Sequence, residues 1–285
     1  MKTKRQLRAE AVERLNDMVL NTGSAIKKLA IALDVKWDPD NSPLSMSALQ
    51  NTLVDLLTDD STQCVCEITD NRANRCRQVE VVSATPRPMD VISAAAGCCY
   101  GKDDYSAKRV KACYQAGHMS VFEHASVTFK ASGISRACSH QLVRHRLASY
   151  SQKSQRYCRV DTDTDDWYVM PFAFVQDDTE LSETTDKQAR FREAMHRAAE
   201  EYADALSIGI KPEDARYLLP EATKTEIVVT MNVRELFHFL DLRGGQGAQW
   251  EIRELSEAMD TAIRGISPQW GELMGLRSEY KPKES

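Results

Sequence analysis

Apolar positions in the first part of the chain recur at three- and four-residue steps. Leu7, Ala11, Leu15, Met18 and Val19 share one face, and residues 25–33 continue the stripe beyond Thr22-Gly23, so residues 4–34 are predicted helical. A turn-rich break at 37–43, with Pro39 and Pro43, separates them from a second predicted helix at 45–57. This part carries no motif, and residues 1–78 are read as a helical N-terminal extension without an assigned role.

From Val79 the periodicity changes. Residues 79–83 have strand character, Pro86 and Pro88 interrupt, and 89–99 then read as an apolar helix, followed by another at 103–116 closing at Gly117. Alternation at 125–130 fits a half-buried strand. Residues 133–146 read as a helix that delivers Gln141, Arg144 and His145 to one neighbourhood, with 149–156 as the loop beyond it. A short strand is predicted at 167–174, an acidic linker at 177–186, an amphipathic helix at 187–206 and a short helix from Pro212 that carries Arg216. Residues 223–231, rich in Ile, Val and Thr, are the best strand; Asn232 and Glu235 have capping-box spacing for a helix that stops at Gly244-Gly245. Residues 249–266 are helical again and 279–285 form a polar tail. Helices and strands mix without βαβ alternation, so the predicted class is α+β, with a small, mostly antiparallel sheet in a domain spanning 79–278.

A chain of 285 residues can bury a sizeable core, and its formal net charge of −5 argues against a surface devoted to coating nucleic acid. No apolar run approaches the roughly 18 residues of a membrane span, and Met1 to Arg5 do not lead into a signal-peptide core. A cytoplasmic protein without a membrane partner is expected, its 8 cysteines reduced. Cys64, Cys66 and Cys76 lack C-x-x-C pairing and a fourth ligand, so no metal is expected.

The candidate chemistry lies between Leu142 and Arg159. This stretch holds Arg144, Arg146, Arg156 and Arg159 with His145, Ser149, Ser151 and Ser154, and no acidic side chain. Guanidinium forks match phosphate oxygens in pairs, and hydroxyls and amides fill the remaining acceptors, so phosphorylated small molecules are the natural guests. An arginine-rich nucleic-acid patch is the competing reading, but Tyr150 and Tyr157 are too few for a stacking platform.

The spacing Arg144-His145-Arg146, Ser149, Ser154, Arg156 resembles the R-H-R-x-x-S-x-x-x-x-S-x-R signature of the flavin-dependent thymidylate synthases. Further segments resemble the same family in the same order: Gly117-His118-x-Ser120-x-Phe122-Glu123-His124, then Asp214-Ala215-Arg216-x-x-Leu219-Pro220. The last is Asn232-x-Arg234-x-Leu236 through Leu242-Arg243 to Ala248-Gln249-Trp250-Glu251. The resemblance implies reductive methylation of dUMP to dTMP, with methylenetetrahydrofolate as carbon donor, FAD as cofactor, NADPH as reductant and no enzyme thiol nucleophile. It also implies a homotetramer with shared active sites.

Carried over by position, the resemblance places Gln141, Arg144, Gln152, Lys153, Ser154, Gln155, Arg156, Arg216 and Arg243 around dUMP. Arg243 is the catalytic residue, stabilising charge on the pyrimidine. Ser120, Arg144, His145, Arg146, Gln152, Asn232, Val233, Arg234 and His238 line FAD. Plainer roles stand beside these: Ser154 has no partnered base, Asn232 is an N-cap, Arg243 answers a helix dipole, and His118, His124 and His140 are structural. The family commonly has Asn-Glu where this chain has Ser151-Gln152, often His at Gly247, and a shorter polar residue at His238. A same-family methylase acting on UMP or another uridine nucleotide is therefore the alternative.

Overall fold

The computed structural model describes residues 65–70, 75–175 and 184–279. The helices predicted at 4–34 and 45–57 lie outside these residues, as do 177–183 of the acidic linker and the tail from 280. In chain order the elements are β1 (Val65–Asp70), β2 (Arg75–Ala84), α1 (Pro88–Cys98), α2 (Ala107–Gln115), β3 (Ser126–Ser135), α3 (Arg136–Leu142) and β4 (Ala148–Gln152). They continue with α4 (Thr184–Ser207), α5 (Pro212–Ala215), β5 (Lys224–Asn232), α6 (Val233–Arg243), α7 (Trp250–Arg264) and α8 (Pro268–Glu279). The strands form one antiparallel sheet in the order β1-β2-β3-β5-β4, so the class is α+β.

β5 shows why the sheet is one-sided. Every second residue is buried, and Ile227, Val229 and Met231 face the same way as Val127, Phe129 and Ala131 of β3. Against that face pack Leu236, Phe239 and Leu240 of α6, Ile252, Leu255 and Met259 of α7, and Trp270, Leu273 and Met274 of α8. Each such large side chain contributes roughly 1.5–3 kcal/mol by burial. A smaller cluster joins Trp167, Tyr168 and Met170 to Met195 and Ala199 of α4.

Several expectations are corrected. The helix predicted at 133–146 is shorter than expected: its first three residues belong to β3, which runs to Ser135 through a register shift near Gly133, whose φ of 73° suits glycine. Only α3 is helical, and Arg144 and His145 lie in the turn after it. The loop predicted at 149–156 begins as β4, an edge strand whose alternation is hidden by polar side chains. The strand predicted at 167–174 consists of 3-10 turns at Asp165–Trp167 and Phe172–Phe174 with a single bridge, Tyr168 to Thr223, because Pro171 has no N–H to give a ladder. The capping box is half formed: Asn232 Oδ1 accepts from Glu235 N at 2.9 Å, while the Glu235 carboxylate turns toward His145. Strand β1 and helix α8 were not foreseen; Gly271 and Gly275 weaken the helical signal of α8. The sheet thus begins at Val65, earlier than the expected start at Val79.

Candidate active site

The arginine-rich turn is positioned from behind by α7. Buried Glu251 accepts from Ser135 N at 2.8 Å and from Ser135 Oγ at 2.5 Å, and that same Oγ caps α3 by accepting from Cys138 N at 3.0 Å. Gln249 Oε1 caps α7 through Glu251 N (2.9 Å) and Ile252 N (3.2 Å), and accepts from Gln141 Nε2 at 3.5 Å. The Ala248-Gln249-Trp250-Glu251 segment thereby ties α7 to α3. Tyr150 closes the turn from β4, its hydroxyl donating to Leu142 O (2.9 Å) and His145 O (2.8 Å). Burial, and then Glu235, push the phenol pKa up, so the hydroxyl stays a donor.

This turn forms one wall of a cleft of about 1000 Å³ that also meets Arg234, Phe237, His238 and Gly244. At its floor His145 is 3% exposed. Arg243, in the last turn of α6, donates from Nε to His145 Nε2 at 3.0 Å and from a terminal nitrogen to Gln141 O at 3.4 Å. An imidazole that accepts at Nε2 carries its proton, when neutral, at Nδ1. That atom lies 3.3 Å from Glu235 Oε1, outside hydrogen-bond alignment. Burial, then Arg243 and His238, lower the His145 pKa to about 4, so the ring is neutral at pH 7. Burial raises that of Glu235, against the pull of His238 and Arg234. Gly244 ends α6 where a Cβ would stand 2.7 Å from Leu240 O, so the wall requires glycine there.

Arg144 and Arg146 are exposed on the cleft, and neither has an ion-pair partner among the described residues. Arg234 pairs with Glu123 at 2.5 Å, and His238 lies with its ring centroid 5.5 Å from that of His145. Ser120 sits exposed in the neighbouring 3-10 turn Met119–His124, Asn232 caps α6, and Val233 is buried; none of these lines the cleft.

The remaining predicted residues gather elsewhere in the chain. Arg216 and Gln155 line a cavity of about 320 Å³, where Arg216 Nε donates to Glu213 O at 2.9 Å. Arg156 donates from Nε to Glu213 Oε2 at 3.1 Å. Lys153, Ser154 and Gln155 face another cavity of about 480 Å³ beside Lys224 and Trp167. Gln152 turns inward, its Nε2 donating to Ser139 Oγ (2.9 Å) and Thr225 Oγ1 (3.2 Å), with Oε1 left to accept.

Sequence reasoning missed Arg136 and Glu235. Arg136 lines the smaller cavity with Arg216, has no ion-pair partner among the described residues, and has its pKa lowered mainly by burial, with Glu221 opposing and Arg216 assisting. It stood eight residues before Arg144 inside a segment read as uniform helix, and an unpaired arginine at a helix start was the available signal. Glu235 was read as a cap because of its spacing from Asn232.

Comparison with known proteins places the chain in a family. The family profile described as thymidylate synthase complementing protein matches residues 80–269. A flavin-dependent thymidylate synthase of Geobacter sulfurreducens is 42% identical over 204 residues, covering 67% of this chain and 84% of that one. Another, from Pyrococcus horikoshii, is 40% identical over 214 residues, covering 69% and 85%. A third, from Nitratidesulfovibrio vulgaris, is 35% identical over 226 residues, covering 71% and 88%. With arginines, histidine and capping segments all falling inside the matched span, the chain belongs to the thymidylate synthase complementing protein (Thy1) family.

Proposed function

We propose that this protein converts dUMP to dTMP by reductive methylation, using methylenetetrahydrofolate, FAD and NADPH, without an enzyme thiol. The observation that carries the reading is the cleft whose neutral, buried His145 is contacted by Arg243 from just outside the lining, while Arg144 and Arg146 stand at the rim without an ion-pair partner among the described residues. Its size lies at the upper end of the ~300–1,000 Å³ typical of small-molecule sites, and its mix of Phe237 and Leu240 with cationic rim residues fits an aromatic ring system carrying a pyrophosphate. Arg144, His145, Arg146, Arg234 and His238 would hold FAD there, with Ser120, Asn232, Val233 and Gln152 around them. When bound, the flavin supplies the hydride chemistry.

The chain's own contribution is binding, orientation and charge. Arg243 places a fixed positive charge where negative charge gathers on the pyrimidine, help that acts mainly in the transition state. Arg156, Arg216, Lys153, Ser154, Gln155 and Gln141 bind dUMP, and Arg136 joins Arg216 on the phosphate. In one chain the 1000 Å³ cleft and the 320 Å³ cavity share no lining residue, which supports sites assembled from several copies in a homotetramer. The fold is that of the flavin-dependent thymidylate synthases, with β1 and the start of β2 belonging to the catalytic sheet and not to an N-terminal extension. Cytoplasmic residence is supported by the free thiols of Cys66, Cys98, Cys99, Cys113, Cys138 and Cys158. Among the described residues no helix is long and apolar enough to cross a membrane.

The test is an absorbance spectrum of the purified protein, then anaerobic NADPH reduction with dUMP, UMP or neither. A flavin spectrum and reduction that leads to dTMP support the proposal; strict preference for UMP, or no flavin with dUMP present, overturns it. Mixing Arg243→Ala with Arg216→Ala protein should restore turnover through hybrid sites.

A further inference from the structure

We infer that Glu235 is a positioning residue: it fixes the proton of His145 at Nδ1 and so turns the Nε2 lone pair toward Arg243. The inference rests on the proposed reaction for its kinetic arm only. A guanidinium can only donate, so the 3.0 Å contact requires a bare Nε2 and a proton at Nδ1. Which ring nitrogen carries the proton is set by the partner of the other. Nδ1 is buried and has no hydrogen-bond partner in alignment, and the acceptor beside it, at 3.3 Å, is Glu235 Oε1. A small side-chain rotation makes that bond.

Glu235 lines the cleft next to His145. Its side chain is 6% exposed, His145 is its only neighbour within ion-pair range among the described residues, and the nearby Arg234 is engaged by Glu123. A buried carboxylate without a cationic partner is unfavourable unless it serves another group. The ring also packs edge-on against Phe239, with centroids 5.0 Å apart, so its plane is set by packing; Arg243 favours a bare Nε2, and Glu235 Oε1 stands where the Nδ1 proton needs an acceptor.

The test compares the wild type with Glu235→Gln and Glu235→Ala. Nitrogen-15 NMR of histidine-labelled protein reads the tautomer, with His145→Asn identifying the signal. Wild type and Glu235→Gln should show Nδ1–H, since glutamine keeps an acceptor oxygen, while Glu235→Ala should shift to Nε2–H. In turnover, Glu235→Ala should lose ~10- to 100-fold in kcat with KM for dUMP changed less than ~3-fold, and Glu235→Gln should recover to within ~5-fold. Retention of Nδ1–H in Glu235→Ala overturns the inference. So does a changed tautomer with unchanged kcat, or equal kcat loss in both variants in step with lowered Tm. A wild type that does not turn over dUMP refutes the proposed function alone, and the tautomer comparison still decides this one.

Discussion

Arg243 and Arg216 are both half-buried guanidiniums, Arg216 lining the 320 Å³ cavity and Arg243 reaching the large cleft through His145, and their neighbours differ. Arg243 is held by a neutral imidazole and a backbone carbonyl, so its charge is directed without an acidic group in direct contact. Arg216 rests on the carbonyl of Glu213, whose carboxylate is already engaged by Arg156. The first arrangement keeps charge available for a group that becomes negative during reaction. In the second, the Glu213 carboxylate engages Arg156 and leaves Arg216 and Arg136 without an acidic partner among the described residues, which suits a phosphate that is anionic throughout.

Removing Arg243 should break the comparison most sharply. Arg243→Ala is expected to lower kcat roughly 10²- to 10³-fold, the scale for loss of a preorganised donor, with dUMP KM within ~3-fold. Equal loss in kcat and KM for this variant and Arg216→Ala in steady-state assays would erase the distinction. The next effect is on stability. With the His145 pKa at about 4 when folded and at the ordinary imidazole value of 6.5 when unfolded, the unfolded chain binds the extra proton between those pH values. Stability is therefore full above pH 6.5 and falls toward pH 4, by roughly 3 kcal/mol at most. The raised Glu235 works oppositely, since the folded form gains protons first as pH falls, so the observed loss is smaller. Urea denaturation at pH 7, 5.5 and 4.5, comparing wild type with His145→Asn, measures the difference.

On the other side of the comparison, Arg136→Ala or Arg216→Ala should weaken dUMP binding by about 2 kcal/mol, roughly 30-fold, with kcat little changed, as measured by calorimetry and steady-state kinetics. Arg136 also marks the limit of sequence reading. The strand at 224–232, the helix after Asn232 and the arginine motif were legible because periodicity and caps are local signals. The β3 register shift at Gly133, the inward turn of Tyr150 on β4 and the pairing of Glu235 with His145 depend on contacts far apart in sequence, where local spacing suggested helix, loop and capping box instead. The residues of the motif were therefore identifiable, while the acids that orient them and the division between two cavities were not.

The smallest effect concerns Gln152, which the family commonly replaces by an acid. Its Nε2 bridges Ser139 Oγ on α3 and Thr225 Oγ1 on β5, tying together elements that line the 320 Å³ and 480 Å³ cavities. Glutamate would leave the two hydroxyls to do the donating, and Ser139 Oγ already donates to Arg136 O at 2.9 Å, so that hydroxyl must give up one bond to make the other. Gln152→Glu should cost about 1 kcal/mol, roughly 2–4 °C in Tm. Its Oε1 remains able to accept from a ligand, so KM for dUMP should move less than ~3-fold, whereas Gln152→Ala removes donor and acceptor together. A matched fall in Tm for both variants, with KM raised only in Gln152→Ala, would assign the oxygen to the ligand and the nitrogen to the fold. A large KM change in Gln152→Glu would instead mean that the charge at this position, and not its hydrogen bonds, governs dUMP binding.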